Sequence, residues 1–189
     1  MAEDRDPDTT TIMFIRHAER PEGDGPPFGM DEDGSRCDES LTTIGWQRAR
    51  ALVGLFAPES GNPTAGLVRP VALFASTPSK KNGSKRSVQT VTPLAHALGV
   101  TVDTDFGRSD VKALAKTLRR TPGPVLVAWQ REYLPEIVGT LGAPDTDVPG
   151  TWPEDRYDVV WVLTRSDSNA WTLRQTPQNL LPGDLPTGI

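Results

Sequence analysis

A run of apolar and β-branched residues near the start of the chain, Thr10-Thr11-Ile12-Met13-Phe14-Ile15, is followed at once by Arg16-His17-Ala18-Glu19. The run predicts a buried β-strand, so the chain delivers a cation and an imidazole to the edge of a sheet. In open α/β sheets, ligands bind in the crevice outside the carboxyl ends of the strands. An Arg-His pair at that place is either a solvated strand end or part of a site, and the rest of the sequence favours a site.

Strand and helix signals alternate along the remainder of the chain. Apolar runs predict further strands over 71–75, 100–102, 124–129, 157–163 and 170–174. Apolar residues at helical spacing predict four helices: from a threonine cap in Leu41-Thr42-Thr43 to Pro58, over 84–98, from Ser109 or Asp110 to Arg120, and over about 134–141. Pro93 is expected to kink or divide the second helix. The order β, α, β, α, β, α, β, α, β, β predicts an α/β fold: a three-layer α/β/α sandwich with a mostly parallel central sheet and an antiparallel edge strand.

Composition narrows the class of protein. A length of 189 residues suits one domain spanning 1–189. The formal net charge of −5 argues against a nucleic acid or an anionic membrane as partner. Cys37 is the single cysteine, so no intrachain disulfide forms, which fits a reducing compartment. With neither a signal sequence nor a long apolar run, the expected location is the cytoplasm.

Polar side chains follow the strands that should end at one common edge. Arg16 and His17 follow the first strand, Ser76-Thr77 and then Arg86 follow the second, and Gln130-Arg131 follow the fourth. Guanidinium groups bind the oxygens of a tetrahedral phosphoryl group with paired charged hydrogen bonds. A neutral imidazole in such a pocket can attack phosphorus and form a phosphohistidine. The sequence therefore predicts a phosphate pocket in which Arg16, Arg86 and Arg131 can converge around His17.

Three segments resemble the histidine phosphatase superfamily, which has the phosphoglycerate mutase-like fold. Arg16-His17-Ala18-Glu19 is similar to its Arg-His-Gly-Glu or Arg-His-Ala-Glu signature. Leu41-Thr42-Thr43-Ile44-Gly45-Trp46-Gln47-Arg48-Ala49 is similar to the helix-opening segment that follows, and Arg86-Ser87-Val88-Gln89-Thr90 to its Arg-x-x-Gln-Thr element. Trp152-Pro153 and Tyr157-Asp158-Val159-Val160-Trp161 give a weaker similarity. The resemblance implies that His17 accepts the phosphoryl group and that Arg16 and Arg86 bind it.

The chain departs from the family at the second histidine. In the family that residue follows a strand like the one over 124–128, and some members read Trp-Glu-His there. This chain reads Trp129-Gln130-Arg131, so Arg131 is expected at the histidine's place. Arg131 can stabilise negative charge but cannot relay a proton. The other histidine, His96, falls inside a helical run and is interpreted as an ordinary helix residue.

The general acid and one loop have several interpretations. Glu19, Asp105, Asp110 and Glu132 are all candidates for the acid that protonates the leaving group, and Glu132 is preferred because it directly follows Arg131. The alternative interpretation of each of these four residues is a surface carboxylate without a catalytic role. The loop between Ser76 and Arg86 carries Lys80-Lys81-Asn82-Gly83 and is either a basic lid or a solvated excursion.

The sequence thus predicts a phosphomonoesterase that acts through a phosphohistidine on a small phosphorylated metabolite or a phosphorylated side chain. Neither a metal nor an organic cofactor is expected, because two distant histidines and one cysteine give poor ligand spacing. A mutase is less favoured without a second histidine. The alternative is a catalytically impaired pseudo-phosphatase that binds phosphorylated ligands as a regulatory module. Non-phosphate chemistry in an adapted pocket is a third possibility.

Overall fold

The computed structural model describes residues 11–78, 83–166, 168 and 170–189. Its elements alternate as the sequence predicts. The strands are β1 (Thr11–Arg16), β2 (Ala72–Ala75), β3 (Val102–Asp103), β4 (Val125–Trp129), β5 (Val159–Arg165) and β6 (Trp171–Pro177). The helices are α1 (Thr43–Phe56), α2 (Arg86–Leu98), α3 (Val111–Leu118) and α4 (Leu134–Leu141). The Lys80-Lys81-Asn82 insertion and two residues of the expected turn before β6, Asp167 and Asn169, lie outside the described residues.

The described strands form one sheet in the order β3-β2-β4-β1-β5-β6. β1, β2, β3 and β4 run parallel to one another, whereas β5 pairs antiparallel with β1, and β6 antiparallel with β5. The predicted fold class is therefore confirmed. Because β1 and β4 are central, parallel and adjacent, their carboxyl ends meet at the same edge of the sheet.

Side chains that alternate along the strands explain why helices cover both faces of the sheet. In β1, Ile12 and Phe14 belong to the core under α3 and α4, while Met13 and Ile15 belong to the core under α1 and α2. Successive side chains of a strand point to opposite faces, so a strand that is apolar throughout must be covered on both sides. All four of these residues are completely buried.

Local chemistry explains several helix boundaries. Thr42 caps α1, its hydroxyl accepting from the Gly45 amide at 3.2 Å. Glycines in the left-handed region, Gly99 and Gly142, end α2 and α4. Pro93 lies inside α2 without dividing it, contrary to one of the two expectations. Burial of neighbouring Val91 and Leu94 in the core offsets the roughly 3 kcal/mol that an interior proline costs.

Among the described residues, no helix is both long enough and apolar enough to cross a membrane.

Candidate active site

A small cavity of about 130 Å³ lies at the carboxyl edge of the parallel strands. The ends of β1 and β4, the start of α2 and the connection between β3 and α3 all contribute to it. Its lining is strongly cationic, with four arginines, one histidine, two neutral polar residues and one carboxylate: Arg16, Arg20, Arg86, Arg108, His17, Ser84, Gln130 and Glu132. The sequence placed Arg16, His17, Arg86 and Glu132 at this edge, and the structure brings those four together.

His17 is held in the neutral form that a nucleophile needs. Its main-chain N–H donates to the Trp129 carbonyl at 3.0 Å, which anchors it to β4. Its ring Nδ1 lies 2.8 Å from the Ala18 carbonyl. Since a carbonyl only accepts, Nδ1 carries the proton and Nε2 keeps its lone pair. Burial, followed by the positive charges of Arg16 and other arginines, lowers the pKa of His17 to about 3.

Arg16 is a buried cation whose guanidinium is almost completely surrounded by hydrogen-bond acceptors. Nη1 donates to the carbonyls of Pro153, Glu154 and Arg156 at 3.3, 2.6 and 3.0 Å, and Nη2 to the Tyr157 hydroxyl at 3.0 Å. The guanidinium also stacks on the Tyr157 ring, 3.8 Å from its centroid. Burial lowers the pKa of Arg16 to about 10, so it remains charged at neutral pH.

One atom of Arg16 has no partner. Its Nε is buried and makes no hydrogen bond within the described part of the chain. A buried unpaired N–H is costly, and on a charged guanidinium at a cavity it favours an anionic ligand.

Arg86 enters the cavity from the first residue of α2. Its guanidinium donates to the main-chain carbonyls of Asp38 and Ser40, and the Glu39 carboxylate lies 3.9 Å away. Burial lowers the pKa of Arg86. The long loop before α1 thus holds this cation mainly through neutral carbonyls, with one carboxylate, Glu39, at the far end of ion-pair distance.

The rest of the Arg86-Ser87-Val88-Gln89-Thr90 segment connects α2 to the residues around His17. The Ala18 amide donates to the Thr90 hydroxyl at 2.8 Å, and that hydroxyl donates to the Arg86 carbonyl at 2.7 Å. The Gln89 side chain accepts from the Leu41 amide at 2.9 Å. These bonds connect the residue after His17, the helix that carries Arg86 and the loop that holds it.

Glu19, a candidate general acid, has a different place in the structure. Its Oε1 accepts from Nε and Nη2 of Arg48 at 2.9 and 2.8 Å, and the same guanidinium binds Asp184 at 2.7 Å. Gly45 of α1 packs against the Glu19 main chain so closely that a Cβ there would lie 2.5 Å from the Glu19 carbonyl oxygen. Glu19 therefore joins α1 to the Arg16-His17-Ala18-Glu19 segment and does not line the cavity. The spacing of Arg48 from the apolar residues of α1 puts it on the buried face of that helix, and this is the sequence signal for the Glu19–Arg48 ion pair.

The end of β4 differs from the sequence expectation. Gln130, not Arg131, lines the cavity. Arg131 turns away: its Nη1 donates to the Trp152 carbonyl at 3.2 Å and its Nη2 lies 3.4 Å from Glu154. Both residues lie beyond β4, which ends at Trp129, and Arg131 already belongs to the turn that leads into α4, so the chain has turned away from the cavity by Arg131.

Gln130 has an unused polar atom. Its side chain is buried, its Nε2 donates to the Ser76 hydroxyl at 2.7 Å, and its Oε1 has no partner among the described residues. A rotation of the amide by half a turn exchanges the two roles, because a hydroxyl both donates and accepts. Either way, one buried amide group of Gln130 is available to a ligand.

The three remaining acid candidates, Glu132, Asp110 and Asp105, differ in their position relative to the cavity. Glu132 lines the cavity, with a side chain that is 60% exposed and 3.8 Å from Arg131 Nε. Asp110 instead closes a turn by accepting from the Gly107 amide at 2.8 Å, and Asp105 is exposed outside the cavity lining. His96 lies exposed near the end of α2.

Sequence reasoning missed two cavity arginines, Arg20 and Arg108. Arg20 pairs with Glu154 at 2.8 Å and is among the charges that lower the pKa of His17. Arg108 comes from the β3–α3 connection. Arg20 lies four positions beyond the end of β1, and no local motif marks either position. Within the described residues, no group of three His, Cys, Asp or Glu side chains is arranged to hold a metal ion.

Comparison with known proteins supports the fold assignment. No protein-family model matches this chain, and no curated protein matches it either. Several solved structures do match this chain. The protein histidine phosphatase SixA complexed with tungstate superposes with a TM-score of 0.53 at 16% identity, over 89% of this chain and 97% of that one. The ecdysone phosphate phosphatase of Bombix mori, also with tungstate, gives 0.52 at 16% identity over 95% and 96% of the two chains.

A phosphoglycerate mutase from Plasmodium falciparum superposes with a TM-score of 0.50 at 13% identity, over 96% of this chain and 99% of that one. At these identities the likeness concerns the fold. The fold that the resemblance implied is thereby confirmed: the chain has a phosphoglycerate mutase-like fold.

Proposed function

We propose that this protein is a phosphomonoesterase that works through a phosphohistidine on His17. The observation that carries the proposal is a neutral imidazole, with its Nδ1–H committed to the Ala18 carbonyl, in a cavity that four arginines line. An imidazole with a free Nε2 is a nucleophile, and clustered guanidinium groups select a phosphoryl group as its target. Two proteins with the same fold are phosphatases crystallised with tungstate, a tetrahedral oxyanion, which agrees with this target.

Arg16, Arg86 and Arg20 are the groups that we assign to the phosphoryl oxygens. Arg16 offers its unpartnered Nε, and Arg86 is held mainly by neutral carbonyls, so a phosphate dianion would compensate charge that the protein leaves open. Gln130 adds a neutral amide contact. Arg131, the third arginine expected from the sequence, is left out because Trp152 and Glu154 hold it.

In the first step, Nε2 of His17 attacks phosphorus and the ester P–O bond breaks with its electron pair. The leaving oxygen takes a proton from water or from Glu132 in its acid form, the one acid candidate from the sequence that lines the cavity. In the second step, water attacks the phosphohistidine, the P–N bond breaks, and its electron pair returns to Nε2. The proton on Nδ1 stays on the ring and keeps its hydrogen bond to the Ala18 carbonyl through both steps, so the ring needs no tautomer change.

A second candidate function is a binding module for phosphorylated ligands. The observation that favours it is Gln130, because an amide cannot transfer protons, and His17 is the single imidazole in the described lining. Binding in this interpretation uses the same arginines, without turnover. For either function we propose the cytoplasm, because the lone Cys37 suits a reducing compartment.

Intact-protein mass spectrometry separates the two functions. The protein is mixed with a reactive phosphomonoester such as p-nitrophenyl phosphate, quenched in base to preserve phosphohistidine, and weighed. We expect a phosphoryl adduct and released nitrophenol in the wild type, and neither in His17→Ala. The matched control is His96→Ala, which should behave as wild type because His96 lies away from the cavity on α2.

Three other outcomes are informative. An adduct that accumulates without turnover indicates a stalled enzyme. No adduct, together with phosphate binding in calorimetry that Arg86→Gln abolishes, indicates the binding module. No adduct and no phosphate binding would overturn both functions.

A further inference from the structure

The acceptors that surround the Arg16 guanidinium all come from one short segment, residues 153–157. Three are main-chain carbonyls, and the fourth is the Tyr157 hydroxyl, whose ring also stacks on the guanidinium. All four are neutral, so they orient the guanidinium without cancelling its charge. The segment has no helix or strand of its own. The placement of Arg16 at the cavity therefore depends on whatever holds residues 153–157.

Arg156 anchors this segment through its side chain. The buried guanidinium donates from Nε to Asp158 Oδ1 at 2.7 Å, from Nη1 to the Gly188 carbonyl at 3.1 Å and from Nη2 to the Thr187 carbonyl at 2.6 Å. The main-chain carbonyl of the same residue accepts from Arg16 Nη1 at 3.0 Å. One residue thus binds Arg16 with its main chain and a distant part of the chain with its side chain.

The partners of the Arg156 side chain are themselves held in place. Asp158 is buried, and its Oδ2 accepts from the Leu185 amide at 2.6 Å. The Gln175 side chain of β6 exchanges two hydrogen bonds with the Ile189 main chain, at 2.7 and 2.8 Å. The segment 185–189 is therefore fastened to the sheet on both sides of the two carbonyls that Arg156 binds.

Neither Arg156 nor Asp158 belongs to the described lining of the active-site cavity, and the mechanism uses neither of them. Their side chains are only 10% and 6% exposed, at an N–O distance of 2.7 Å. Loss of one partner from a pair buried this deeply leaves the other charge uncompensated. The pair therefore keeps the Arg156 backbone, and the carbonyl that faces Arg16, in one place.

We infer that Arg156 is a positioning residue for Arg16. Its ion pair with Asp158 and its two bonds to segment 185–189 hold residues 153–157 so that they orient the Arg16 guanidinium toward a bound phosphoryl group. This inference rests on the proposed function, which assigns Arg16 to the phosphoryl oxygens.

Calorimetry with inorganic phosphate, in a phosphate-free buffer at neutral pH, tests the inference on the full chain. Arg156→Met keeps most of the side-chain volume but removes all three hydrogen bonds. We expect phosphate to bind about tenfold or more weakly, the effect of losing one well-placed charged hydrogen bond from Arg16. Arg156→Lys keeps a cation beside Asp158 but lacks the planar fork that reaches the carboxylate and both carbonyls, so its affinity should be intermediate.

Asp158→Asn separates positioning from a simple charge effect. Arg156→Met removes a positive charge and Asp158→Asn removes a negative one, so electrostatics alone would shift phosphate affinity in opposite directions. If the pair positions Arg16, both variants bind phosphate more weakly, Asp158→Asn by about threefold or more. Tighter binding by Asp158→Asn would overturn the inference, as would wild-type affinity in Arg156→Met.

Arg174→Met is the matched control. Arg174 is an exposed arginine of β6 that donates to the Gly66 carbonyl, so the change removes the same charge and a bond to a distant carbonyl. Leu118→Ala, at the buried last residue of α3, controls for a general loss of stability. Both should keep the wild-type phosphate affinity, and losses in either control equal to that of Arg156→Met would refute the positioning role.

Circular dichroism and urea unfolding identify the variants that are folded at the assay temperature. If Arg156→Met does not fold, Arg156→Lys and Asp158→Asn decide the question by the direction of their phosphate affinities. The outcomes also separate this inference from the proposed function. Phosphate binding that Arg86→Gln abolishes and that the Arg156 and Asp158 variants leave unchanged refutes the positioning role alone, whereas no phosphate binding by the wild type refutes both.

Discussion

Replacing His17 with glutamine should flatten the acid side of the protein's stability curve. In the folded chain, burial and the neighbouring arginines lower the pKa of His17 to about 3, from an ordinary value of 6.5. Below pH 6.5 the unfolded chain therefore binds a proton that the folded chain does not. Stability falls as the pH drops through this window, and the loss stops growing below about pH 3. Glutamine has no such proton to bind.

The linkage relation gives the magnitude. The loss approaches about 1.4 kcal/mol per pH unit once the pH is well below 6.5. Between about pH 7.5 and pH 5, the wild type should lose about 2 kcal/mol of unfolding free energy that the variant keeps. Typical domains are stable by only about 5–15 kcal/mol, so this difference is readily measured.

Urea unfolding followed by tryptophan fluorescence provides the assay, because five tryptophans report on the core. Acetate and MES buffers are required, since phosphate would bind the folded state and mask the effect. The control is His96→Gln, the same change at the exposed histidine, which should keep the wild-type pH dependence. Parallel stability curves for wild type and His17→Gln would refute the reasoning, because they would mean that the folded protein protonates His17 as easily as the unfolded chain does.

Other perturbations test the supports of the site. Thr90→Val leaves the Ala18 amide without its acceptor and should cost about 1–3 kcal/mol of stability by urea unfolding, whereas Thr92→Val, whose hydroxyl bonds only to its own helix, should cost less than about 1 kcal/mol. Arg48→Met leaves two carboxylates without their shared cation and should cost about 3–5 kcal/mol by the same assay; a cost below 1 kcal/mol would contradict the docking role of that ion pair. Glu154→Gln weakens the hold on Arg20 and should tighten phosphate binding severalfold in calorimetry. Glu22→Gln, at an exposed carboxylate in the cleft beside Arg20 that makes no ion pair within the described residues, should change it less.

The fold was predictable because its signals are local. The threonine cap of α1 and the periodic apolar face of α4 each depend on residues a few positions apart, and the structure has both where the sequence indicated them. The strand boundaries shifted by one to three residues, as for β3 at Val102–Asp103 and β6 at Trp171–Pro177, because pairing with a neighbouring strand decides where a ladder ends. Pro93 shows the opposite case, in which tertiary packing carried a helix through a residue that locally opposes it.

The sequence by itself determined the alternation of strands and helices, and with it the delivery of Arg16 and His17 to the sheet edge and of Arg86 to the start of α2. Those features follow from the period of apolar residues and from chain direction. Only the tertiary structure decided that Gln130 faces the cavity while Arg131 turns to Trp152, and that Glu19 binds Arg48 instead of lining the cavity. The turn that follows β4 decides which of Gln130 and Arg131 faces the cavity, and ion-pair partners such as Arg48 and Asp184 lie 136 positions apart. Such choices depend on packing across the whole sheet, which no local pattern records.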